Sequence, residues 1–83
     1  VNVYPRELNA EVYVELDNKV TGKVELELVN ILGQMIFKST KTGLEKKIEL
    51  SKLYPQLKDL SSGIYLLNIT IKDQTQSFKL IKN

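Results

Sequence analysis

Lys23-Val24-Glu25-Leu26-Glu27-Leu28-Val29-Asn30-Ile31-Leu32-Gly33 is the stretch that decides the fold. Apolar Val24, Leu26 and Leu28 alternate with charged Lys23, Glu25 and Glu27. A period of two gives one core face and one wet face only on an extended strand. Asn30-Ile31-Leu32-Gly33 then reads as a tight hairpin turn, with Gly33 at a positive φ that a β-branched residue could not hold. Upstream, Val12, Val14 and Leu16 alternate in the same way with Glu11, Tyr13 and Glu15. Downstream the pattern continues over residues 35–40, 46–50, 64–71 and 77–81, and residues 1–4 offer a further short strand ended by Pro5. Gly22, Gly43 and Gly63 punctuate other junctions, and Lys72-Asp73-Gln74 suits a short turn between the last two strands. The spacing predicts seven strands with no long helical period between them, hence an antiparallel sandwich rather than βαβ units.

Residues 51–60 break the pattern. Leu53, Leu57 and Leu60 fit a three-to-four residue spacing that Pro55 interrupts, so a single helical turn or an irregular loop is expected there.

Composition narrows function mainly by exclusion. At 83 residues the chain is one domain, because a second core would leave each half too small to bury enough apolar surface. It has no cysteine and no histidine, which removes disulfide frameworks, thiolate zinc sites and Ser/His/Asp triads together. No paired carboxylates face a cleft: Glu11, Glu15, Glu25, Glu27 and Glu49 fall by parity on solvent faces, where pairing with Lys23, Lys38 or Lys47 is their ordinary role. Asp17, Asp59 and Asp73 stand singly in turns, without the dense oxygen spacing of a calcium loop. The reading is therefore a protein with no catalytic residues, no metal and no cofactor. Twelve Lys and Arg are scattered among 10 acids with no aromatic-basic stripe, so no nucleic-acid partner is expected. No apolar run approaches the ~20 residues of a membrane helix. Asn68-Ile69-Thr70 matches a glycosylation tripeptide, but its mid-strand position makes chance the better explanation.

Leu60-Ser61-Ser62-Gly63-Ile64-Tyr65 has a specific physical reading. In Greek-key sandwiches a Tyr near the start of the penultimate strand turns its hydroxyl back to a backbone group a few residues upstream, pinning the crossover. Tyr65 fits that position and shares a face with Leu67, Ile69 and Ile71, which favours this structural role over surface recognition. The fold expectation is an all-β, seven-stranded antiparallel Ig-like sandwich with Greek-key topology.

The whole chain resembles the type A C-terminal sorting domain of the type IX (Por) secretion system of Bacteroidetes. Val3-Tyr4-Pro5 looks like its opening, and Val29-Asn30-Ile31-Leu32-Gly33-Gln34-Met35-Ile36 like its central strand-turn-strand. Ile48-Glu49-Leu50-Ser51-Lys52-Leu53 and Leu60-Ser61-Ser62-Gly63-Ile64-Tyr65-Leu66-Leu67 resemble its paired later segments, and Phe78-Lys79-Leu80-Ile81-Lys82 its terminal Lys-bearing strand. Two departures stand out: Arg6-Glu7 follow Pro5 where the family continues with Asn-Pro, and Tyr54-Pro55-Gln56-Leu57-Lys58-Asp59 looks like an insertion.

The resemblance implies a non-catalytic export signal that directs an upstream cargo from the periplasm across the outer membrane, to the surface or the medium. Its implied partners are the type IX translocon, a sortase-type peptidase that removes the domain, and the covalently linked cargo. Beginning at Val1 without an initiator Met or a basic-apolar leader, residues 1–83 are expected to be a C-terminal domain of a larger exported protein. For recognition, the expectation is that the terminal strand, residues 77–82, presents backbone groups and Lys79 and Lys82 to the translocon by strand addition. Phe78, Lys79, Leu80, Ile81 and Lys82 are the candidate recognition residues, and Gly33, Gly63 and Tyr65 the structural motif. Solvated edge lysines are also a common defence against unwanted pairing. The competing reading is an Ig-like or fibronectin-like accessory or adhesion module binding carbohydrate or protein, or a retained structural domain of an envelope complex.

Overall fold

The alternation is realised as strand pairing. The computed structural model describes residues 1–9, 11–16, 22–42 and 46–83; Asp17 and Gly43, read above as turn residues, lie outside that set. The strands are β1 (Asn2–Tyr4), β2 (Tyr13–Glu15), β3 (Lys23–Asn30), β4 (Met35–Thr42), β5 (Lys47–Glu49), β6 (Gly63–Ile71) and β7 (Gln74–Lys82). They form two antiparallel sheets, a three-stranded one in the order β1-β2-β5 and a four-stranded one in the order β4-β3-β6-β7.

Inward-facing residues of both sheets meet in one core. Val3, Val14 and Ile48 from the smaller sheet are buried with Val24, Leu26, Leu28, Tyr65, Leu67, Ile69, Phe78 and Leu80 from the larger. Register builds that core in rows: Leu28 pairs with Leu67, which pairs with Phe78, so three apolar side chains stack across three strands. The outward positions Lys23, Glu25 and Glu27 of β3 are charged. Glu27 lies opposite Lys38, and Lys23 reaches Glu25 at 3.6 Å.

Turn chemistry closes both long hairpins. Gly33 has φ 84° in the β3–β4 turn, the left-handed region where a Cβ is strained. The β6–β7 turn places Lys72 (φ 50°) and Asp73 (φ 64°) between the paired Ile71 and Gln74, the two-residue arrangement whose twist matches the flanking strands.

Four strands facing three leave part of the larger sheet's inner face without an opposing strand. The non-periodic segment covers it. β5 ends at Glu49, where the chain enters a helical turn, α1 (Leu50–Leu53), followed by a 3-10 turn at Pro55–Asp59. Leu50 and Leu57 are buried, and the Tyr54 ring stacks on Phe37 of β4 with centroids 4.7 Å apart and planes 4° apart. The stretch 54–59 thus plugs the open flank of the sandwich.

Leu57→Ala should therefore lower unfolding free energy by about 2–5 kcal/mol through lost transfer energy and a residual cavity. Urea titration measures this directly, and an unchanged midpoint would mean the segment is not packed on the core.

Candidate recognition site on the last strand

β7 combines an inner face, an outer face and a free backbone edge, and each does something different. Phe78 and Leu80 point inward and are 9% and 0% exposed, so they anchor the strand and offer no side chain to a partner. Lys79 is exposed, Ile81 is 40% exposed and Lys82 is half-buried. Of the five candidate recognition residues, the fold thus brings Lys79, Ile81 and Lys82 to the surface and withdraws Phe78 and Leu80.

The backbone edge is divided. β7 is an outer strand of the larger sheet, so one row of its peptide groups has no strand partner. At its C-terminal end a short segment of the same chain takes that role: Ile81 N donates to Arg6 O (2.9 Å) and Leu8 N donates to Ile81 O (2.8 Å), a parallel bridge opposite Glu7. Leu8 is buried, the Arg6 guanidinium lies 5.4 Å from the Phe78 ring centroid, and Asn83 N donates to Asn9 Oδ1 at 2.9 Å. Because peptide groups alternate sides along a strand, Lys79, Ser77 and Thr75 point theirs the same way as Ile81. Among the described residues no backbone bond outside the β6 ladder reaches these three. The accessible edge is therefore residues 75–79, upstream of where sequence reasoning put its centre. Nothing periodic marks Arg6 to Leu8 as a clamp, and only the three-dimensional contact reveals it.

Gly63 and Tyr65 of the structural motif hold the start of β6, beside the C-terminal end of β7. Tyr65, 6% exposed, donates from Oη to Ser61 O at 2.7 Å. Gly63 starts β6 with φ 155°, a conformation essentially confined to glycine, and pairs with Lys82. The tyrosine thereby fixes the corner from which β6 runs alongside β7.

The outer face of the smaller sheet carries a second polar cluster. Lys47 Nζ lies 4.5 Å from the Tyr13 ring centroid and 5.6 Å from that of Tyr4, while the two rings are 6.0 Å apart. Tyr13 Oη donates to Glu11 at 2.6 Å, and this bond to the carboxylate, ahead of desolvation and the Glu11 charge, pushes the phenol up to about 12. The cluster is internally paired: its own ammonium takes up ring surface on which a sugar would stack. Asn68 of the glycosylation tripeptide is likewise engaged, donating to Glu27 (3.3 Å) and accepting from Ser77 (2.7 Å). Among the described residues no group of His, Cys, Asp or Glu is arranged to hold a metal ion, and no helix is long and apolar enough to cross a membrane.

Comparison with known proteins adds two findings. The profile of the family described as "secretion system C-terminal sorting domain" matches residues 2–83. Among solved structures, the chain is similar to PorZ, an essential bacterial surface component of the type-IX secretion system of Porphyromonas gingivalis, with a TM-score of 0.68 and 12% identity. That match covers 100% of this chain and 11% of PorZ. No individually curated protein sequence matches.

Two measurements test this geometry. Tyr65→Phe should cost about 0.5–1.5 kcal/mol by leaving Ser61 O without its donor; an unchanged denaturant midpoint would place the hydroxyl in solvent. Spectrophotometric titration should show one tyrosine ionising near pH 12, returning toward 10 in Glu11→Gln. A phenol raised in the folded state stabilises the fold fully below pH 10 and loses that contribution between 10 and 12. A wild-type curve with no late component would refute the Glu11 bond.

Proposed function

The chain belongs to the secretion system C-terminal sorting domain family, a non-catalytic signal of type IX secretion, and from that premise we propose that residues 1–83 are one sorting domain attached to an upstream cargo. The domain carries the cargo from the periplasm across the outer membrane to the cell surface or the medium, and a sortase-type peptidase then removes it. The observation that carries this reading is the family match over residues 2–83. The strand order β1-β2-β5 against β4-β3-β6-β7, with a tyrosine pinning the start of β6, supports an Ig-like sandwich of Greek-key type.

Recognition by the translocon runs through β7. Lys79 and Ile81 supply exposed side-chain contacts, Lys82 a half-buried one, and the outward peptide groups of residues 75–79 accept an added strand. Phe78 and Leu80 contribute indirectly, by holding the strand flat against the core. Lys79 steers an acidic partner in the encounter, a contribution to association rate more than to final affinity.

Deleting residues 78–83 would remove Phe78 and Leu80 from the core, so loss of export in that truncation would be confounded by unfolding. Ser77→Pro and Lys79→Glu are sharper. Proline at Ser77 removes an outward N–H that β6 does not use, and the charge reversal leaves the core intact. Each should cut export of a fused reporter by about tenfold while the purified domain still unfolds cooperatively. Wild-type export by both folded variants would contradict recognition through β7.

A further inference from the structure

The large apolar side chains exposed among the described residues gather at one pole of the molecule. Leu32 is 80% exposed, Ile31 71%, Met35 57%, Ile81 40% and Leu66 38%. Register makes them neighbours on the outer face of the larger sheet. Met35 pairs with Val29, which pairs with Leu66; Ile64, on the same face, pairs with Ile81; Ile31 and Leu32 form the turn that joins β3 to β4. The other half of that face is polar, lined by Glu25, Glu27, Lys38, Asn68, Thr70 and Thr75. An apolar surface segregated in this way on a small soluble fold marks an interaction site rather than scattered surface carbon.

The turn is built to hold its two aliphatic residues in place. Turn positions usually carry Gly, Asn, Asp or Ser, yet here Ile31 and Leu32 occupy them. Asn30 locks the loop: its Oδ1 accepts from Leu32 N and Gln34 N, both at 3.0 Å, and its Nδ2 donates to Gln34 Oε1 at 2.8 Å. Its backbone adds bonds with Gly33 and Gln34 at 2.9 and 3.0 Å. The fold draws no burial from either aliphatic side chain, so the rigidity serves their presentation. A pre-ordered apolar tip loses little conformational entropy on docking.

We propose that this pole is a docking surface for a protein partner that offers an apolar socket to Ile31 and Leu32 and an acidic margin to Lys79. Charge sets the margin: Lys79 shares the outer face with Ile81 and lies opposite Leu66, and Glu7 opposite Ile81 contributes one opposing charge. A bilayer is the poorer occupant. The two tip side chains together carry fewer carbons than a single myristoyl chain, which alone holds a protein to a membrane only marginally, and the remainder of the patch spreads across a sheet face instead of projecting with the tip. This contact is made by side chains of the β3–β4 turn rather than by the peptide edge of β7, shares Lys79 and Ile81 with the recognition strand, and its export readout rests on the sorting function proposed above.

The test is the double variant Ile31→Ser/Leu32→Ser in the full chain fused to a reporter, alongside Ser77→Pro and a fusion lacking residues 1–83 altogether. Both replaced residues are exposed, so the thermal midpoint should stay within a few degrees. The double variant should lower export by about tenfold. Wild-type export by the double variant, with Ser77→Pro defective, overturns this proposal and leaves the sorting reading standing. Normal export without residues 1–83 overturns both. On the purified domain, co-flotation with phosphatidylethanolamine–phosphatidylglycerol vesicles that the double variant abolishes would reassign the pole to lipid. Sedimentation equilibrium showing a dimer that the same variant dissolves would reassign it to a second copy. The proposal requires neither flotation nor dimerisation.

Discussion

Burial of Phe78 and Leu80 is the constraint on which the recognition geometry depends. Both side chains sit in the common core, in register with Leu67 and Tyr65 of β6. Their removal from water fixes which face of β7 is presented: with period two, Lys79 and Ile81 must point outward once their neighbours point in. A slip of one residue would bury a lysine and expose a phenylalanine. Recognition through the last strand, as proposed, therefore requires a folded sandwich and couples the address to completed folding.

The outer edge of that strand is managed from the opposite end of the chain. An uncovered row of peptide groups is an aggregation risk in any sheet, and here it is shortened rather than removed. The bonds of Arg6 and Leu8 with Ile81, secured by a buried Leu8, close one end of the row and leave residues 75–79 open. The chain's own segment bridges the edge at Ile81, and the outward peptide groups upstream of it carry the same donors and acceptors. On the opposite flank it is the inner face of β4 that is covered, with Tyr54 stacked on Phe37 and Leu57 buried in the core.

Much of this was legible in the sequence because one periodicity dominates it. Val24, Leu26 and Leu28 announce β3, and the buried positions of β6 and β7 follow the same parity. Gly33 and Tyr65 were readable because each satisfies a local requirement, a positive φ and a hydroxyl within reach of a backbone carbonyl four residues back. What stayed hidden depends on contacts distant in sequence or on the absence of contacts. The clamp joins Asn9 to Asn83, and no local pattern reports such a pairing. The 54–59 stretch carries too few apolar residues for its packing to show as a period. Ile31 and Leu32 were readable as turn residues, but their aliphatic character suggests burial, and only the structure shows how far they stand in water.

Amide hydrogen exchange on the intact domain tests the half-open edge most directly. Ser77 and Lys79, whose N–H groups face solvent, should exchange at least about a hundredfold faster than Phe78, Leu80 and Ile81, whose groups are held by β6 or by Arg6. Ile81 exchanging as fast as Ser77, or Ser77 and Lys79 protected as strongly as Leu80, would contradict the account.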